Sequence, residues 1–164
     1  MIPGFMIACV LLQAAASGDS IPSFQRYAVK DIYKGKAATP VLRTPGDRQF
    51  RTRIRAGSAK GANFAGHYTL IILGCGTQCS SFLIVDARTG RVFADAQKEY
   101  TCWPYHRIDS RLLVTDMCSG AAETNCRRDY WEWTGTELKL LAKTPISCTA
   151  AAPEGFAGAT SPSK

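Results

Sequence analysis

The chain has 164 residues, 46% of them hydrophobic and 20% charged. That composition builds one domain with a core and excludes wholesale disorder. The formal charge is +7, from 20 Lys and Arg against 13 Asp and Glu, and no apolar run reaches the roughly 18 residues of a membrane-spanning helix.

In chain order, residues 5–16 (FMIACVLLQAAA) are apolar apart from one Gln and lead into Ser17-Gly18-Asp19-Ser20. A short apolar stretch followed by small residues, with Ala14-Ala15-Ala16 as an A-x-A site, predicts a cleaved secretory leader over 1–16. No Lys or Arg precedes the apolar run, which departs from the usual leader. Two other readings are lipidation at Cys9 and a buried N-terminal helix. Residues 17–46 read as an N-terminal extension in which Phe24, Tyr27, Val29 and Ile32 suggest a short strand. In residues 47–60, Asp47 is a candidate N-cap, Phe50 and Ile54 stand at i and i+4, and Gly57 is a candidate stop, which favours a short helix over a strand.

From Gly66 the pattern turns to β. Strands are predicted at 67–73, 80–87, 91–95, 111–117, 128–133 and 137–143, with turns at 74–79 (GCGTQC), Arg88-Thr89-Gly90 and Thr134-Gly135-Thr136. Alternation places Tyr130 on one face and Trp131 and Trp133 on the other, one face core and the other partly exposed. The fold class expected is mainly β, an antiparallel meander bent into a sandwich or propeller-like arrangement, with one short helix and disulfide staples. The β domain spans 47–148, and residues 149–164, small and rich in Pro and Gly, read as a flexible tail.

The chain contains seven cysteines, and losing Cys9 with the leader leaves Cys75, Cys79, Cys102, Cys118, Cys126 and Cys148. An even set behind a leader reads as disulfides in a periplasmic or secreted protein. Spacing favours Cys75–Cys79 and Cys118–Cys126, leaving Cys102–Cys148. Zinc is the weaker reading, because neither a C-x-x-C pair nor a His cluster accompanies the thiols. No metal or other cofactor is expected.

The positive charge is local. Residues 26–60 hold ten basic side chains against Asp31 and Asp47. Arg51, Arg53 and Arg55 form the densest part, a candidate surface for an anionic envelope polymer or an acidic protein. Nucleic acid is set aside because export removes the chain from it. His67 and Asp86 are the candidate pair for an exported hydrolase, but no nucleophile motif accompanies them. The loop Gly74, Gly76, Thr77 and Gln78, held by Cys75 and Cys79, reads as a rigid protruding turn suited to docking with little entropy loss.

Asn63-Phe64-Ala65-Gly66-His67-Tyr68, then Gly74-Cys75-Gly76-Thr77 and Cys79, then Asp86 with Thr89-Gly90-Arg91-Val92, then Asp109-Ser110-Arg111-Leu112-Leu113-Val114 form a pattern over about residues 47–143. It resembles a broad group of small exported proteobacterial proteins. That group is similar in outline to periplasmic lysozyme inhibitors and to immunity proteins that neutralise secreted cell-wall hydrolases. The resemblance implies an all-β, propeller-like fold and a protein partner blocked by steric occlusion. A basic lysozyme would be repelled by residues 26–60 unless the binding face lies elsewhere, for instance at the 74–79 loop; His67 and Tyr68 are further candidate contact residues.

Overall fold

The computed structural model describes residues 21–76, 79–93, 104–119, 125–147 and 149–156. The expected leader and the residues Thr77, Gln78, Cys102 and Cys148 lie outside these, as do the side chains of Cys75, Cys79, Cys118 and Ser119. Two antiparallel sheets are formed, β1 (Tyr68–Gly76), β2 (Cys79–Asp86) and β3 (Val92–Phe93) in the first, and β4 (Tyr105–His106), β5 (Leu112–Ser119), β6 (Asn125–Trp133) and β7 (Leu138–Ile146) in the second. Each is a meander, with neighbours in sequence paired in space. The fold is mainly β, as expected, and the sheets do not close into a barrel.

Alternation along the strands produces three cores rather than one. On β1 and β2, Tyr68, Leu70, Phe82 and Ile84 point to one side and meet Leu113 and Trp133 of the second sheet. That cluster packs the two sheets against each other. The opposite parity of the first sheet, Ile71, Leu73, Leu83 and Val85, packs on Ile54. The opposite parity of the second sheet, Leu112, Val114 and Tyr130, packs on Phe24, with Phe156 against it. Both faces of both sheets are therefore covered, and Tyr130 and Trp133 are buried together on opposite faces (5% and 2% exposed). Of the face expected to be partly exposed, Trp131 is only half-buried but Trp133 is fully covered, and the Tyr130 face is covered by segments far away in sequence.

Those segments are the two regions read as extension and tail. Residues 21–32 form no strand; they follow the second sheet through an isolated bridge, Ala28 to Ser110, because Phe24, Tyr27, Val29 and Ile32 do not keep a period of two. The stretch 149–156 lies against the same sheet. Ala151 O accepts from Arg128 Nη2 at 2.8 Å, Gly155 O accepts from Arg107 Nη1 at 2.7 Å, and the Phe156 ring meets Phe24 and Tyr105.

Two helices stand where one was expected, α1 (Pro45–Gln49) and α2 (Arg51–Ser58). Thr44, not Asp47, is the N-cap of α1. Its hydroxyl accepts from Asp47 N at 3.0 Å, while Asp47 Oδ2 accepts from the Thr44 and Arg43 backbone N–H groups at 2.8 Å each. This reciprocal capping box, with Pro45 in the first turn, starts the helix. Gly57 does not end α2 but lies inside it, where any Cβ would come within 2.7 Å of Ile71. Ile54 and the absent side chain at 57 thus let α2 settle directly on β1, and burying Ile54 contributes about 1.5–3 kcal/mol.

Candidate functional site

Much of the quoted sequence pattern does structural work. Asn63 pairs with the edge of β1 like a strand residue, donating from Nδ2 to Leu70 O at 3.1 Å and accepting from Leu70 N at Oδ1 at 2.7 Å. Phe64 is fully buried in the inter-sheet core. Ala65 and Gly66 both take positive φ, 45° and 84°. The turn is held by Ala65 N and Gly66 N donating to Arg107 O and Ile108 O, and by Gly66 O accepting from Tyr33 N. A left-handed Ala costs about 1 kcal/mol or more and persists only under such clamping.

The same holds for Asp86 and its turn. Asp86 Oδ1 accepts from Arg88 N at 2.8 Å and Thr89 N at 3.3 Å, and Oδ2 accepts from the Thr89 hydroxyl at 2.8 Å. Gly90 follows at φ 76° with Thr39 O only 2.1 Å from where a Cβ would sit. The carboxylate proposed as the acid partner of His67 is thus occupied in shaping the connection from β2 to β3. Among the described residues, neither nitrogen of His67 is hydrogen-bonded to it. The His67 ring lies over Tyr68 with centroids 4.1 Å apart. Burial lowers its pKa, Arg88 adds to the effect, and Asp86 and Asp31 oppose it.

His67 and Tyr68 open instead into a cleft of about 480 Å³. Five separate segments build it. Val29, Lys30 and Asp31 come from the N-terminal stretch, Ala65, His67 and Tyr68 from the left-handed turn and the start of β1, and Arg88 from the turn after β2. Arg111 precedes β5, Trp133 ends β6, and Thr134 and Gly135 follow it in the turn to β7. Arg88 pairs with Asp31, and Arg111 Nη1 with Glu132 Oε1 at 3.1 Å. Tyr68 and Trp133 meet edge to face at 5.3 Å. The Trp133 indole N–H lies beside the Tyr68 hydroxyl but outside hydrogen-bond geometry. Only His67 and Tyr68 of this set are candidate site residues in the sequence. Arg111 and Trp133 stand out in the sequence, in the quoted pattern and the aromatic cluster, but nothing local places them beside His67; tertiary packing does.

The remaining candidates lie elsewhere. Arg51, Arg53 and Arg55 are all exposed on α2. Arg51 and Arg55 are one turn apart, and Arg53 is on the other flank. With Arg43, Arg48 and Lys60, also exposed, they give the helical layer six cations. Among the described residues none of the six forms an ion pair. The layer's one carboxylate, Asp47, is buried in the capping box. Gly74 is exposed near the far end of β1, with open space around its Cα. Neither the cleft's residues nor Gly74 belong to the helical layer, so the sequence candidates are distributed over three places.

Among the described residues no group of three or more His, Cys, Asp or Glu is placed to hold a metal ion, and no helix is long and apolar enough to cross a membrane. Comparison with protein-family models, curated proteins and solved structures finds no match.

Proposed function

We propose that the protein is an exported, non-catalytic binding protein whose main contact face is the basic helical layer, and that its partner is an anionic polymer of the cell envelope. The observation that carries this reading is the set of six exposed, unpaired cations on α1, α2 and their flanks, with the only local carboxylate turned inward. Such a face attracts polyanions and loses its grip as salt screens it. Co-sedimentation with isolated cell-wall sacculi tests it. Binding is expected at low salt, to fall steeply as salt rises, and to be abolished in the triple variant Arg48→Glu, Arg51→Glu, Arg55→Glu. Failure to pellet, or pelleting indifferent to salt and charge reversal, overturns it.

Export and disulfide staples belong to the same reading. In support, Cys126 is buried and stands opposite Cys118 in the β5–β6 register, the pairing the spacing favours. Mass spectrometry of native material is expected to find the leader removed and no free thiols.

The second reading is an inhibitor or immunity protein that occludes a cell-wall hydrolase with the 74–79 connection. The open surroundings of Gly74 favour it. A pull-down from periplasmic extract is expected to lose its partner when Gly76 and Thr77 are substituted.

A further inference from the structure

The cleft beside His67 is rich in donors and poor in acceptors. Lys30, Arg88 and Arg111 bring three positive charges to it against two carboxylates, Asp31 held by Arg88 and Glu132 held by Arg111. Asp31 sits at the rim with its side chain 81% exposed, held by Arg88. Arg111 contacts Glu132 through Nη1, so the other N–H groups of its fork remain for a second acceptor. Lys30 forms no ion pair among the described residues. Tyr68 donates to Gly135 O at 3.4 Å, and among the described residues the Trp133 indole N–H meets no acceptor in hydrogen-bond geometry although its residue is almost wholly buried.

The wall is aromatic and the volume is that of a small-molecule site. Guanidinium and ammonium groups match a carboxylate, and ring faces cover an apolar one. We propose that this cleft binds a carboxylate carried on a six-membered ring, with Arg111 and Lys30 taking the carboxylate and the Tyr68–Trp133 wall taking the ring. No lining residue belongs to α1 or α2, so the site is independent of the basic layer. Sugar acids and aromatic acids share this chemistry, and the probes separate them.

The chain has three tryptophans, so indole N–H resonances provide a local readout, and Trp133→Phe identifies the signal of Trp133. The protein is titrated in phosphate-free buffer with D-glucuronate and with benzoate, using D-glucose and benzyl alcohol as neutral counterparts. The expected result is a saturable shift of the Trp133 signal with a carboxylate and none with its neutral counterpart. A response to glucuronate alone assigns a sugar ring, to benzoate alone an aromatic ring, and to both any ring acid. Arg111→Gln is expected to weaken binding about tenfold, the loss of one charge-assisted hydrogen bond. Lys30→Gln, at an exposed position, provides a second variant that leaves the fold untouched. No response to either carboxylate, an equal response to the neutral compounds, or unchanged affinity in both variants overturns the proposal.

Discussion

Arg128 and Asp116 face each other across β6 and β5 as a two-pronged ion pair, Nε to Oδ1 at 2.7 Å and Nη2 to Oδ2 at 2.8 Å, with both side chains more than nine-tenths buried. The guanidinium also holds Ala151 O and lies over the Tyr105 ring. Asp116→Ala would strand a positive charge inside the protein, at a cost of about 3–5 kcal/mol. The double variant Asp116→Leu, Arg128→Met should recover much of that loss. Urea denaturation of the three proteins checks both statements, and equal stability of the single and double variants would count against them.

Asp47 carries an acid-sensitive part of the stability. Burial raises its pKa, but accepted hydrogen bonds from Thr44 and Arg43, with the charge of Arg48, outweigh it and leave the carboxyl below its ordinary range. A folded pKa below the unfolded one gives stability that is full above the unfolded value and is lost as pH falls through the folded value. Asp47→Ala should cost about 1–2 kcal/mol at neutral pH. The gap to the parent should close in strong acid, as paired unfolding curves at pH 7 and well below pH 4 would reveal.

The two histidines act in a higher window. Burial lowers the pKa of His106, with the Pro104 carbonyl opposing, and burial with Arg88 lowers that of His67. Both favour the neutral ring in the fold. Stability is therefore full above the ordinary histidine value of about 6.5 and declines as pH falls from there through the folded values. Denaturation midpoints between neutral and mildly acidic pH should show this slope, and His106→Gln should flatten it.

Gly90 is a geometric necessity. Its positive φ and the Thr39 carbonyl oxygen, which stands where a Cβ would have to go, leave no room for a side chain. Gly90→Ala should lower the melting temperature with a loss above about 1 kcal/mol. Gly74→Ala, at an open site, should lose far less.

The sequence alone discloses those elements whose cause is local. Strands β1, β2, β5, β6 and β7 carry apolar runs long enough to be seen, and the Asp86 to Gly90 turn is written in its residues. Strand β4 has two residues directly after Pro104, too few to show a period. The helix over 47–60 was legible, but its division at Phe50 and its true cap at Thr44 depend on side-chain geometry. The cleft is least legible, since its walls come from five segments and meet only after both sheets form.

The rings of Phe24 and Phe156, separated by most of the described chain, lie 6.3 Å apart over the outer face of the second sheet. A contact of such long sequence separation is the kind that forms late and slowly. Leu112, Val114 and Tyr130 are covered only when both flanking stretches are in place, so closing this face carries the entropy cost of bringing residues 24 and 156 together.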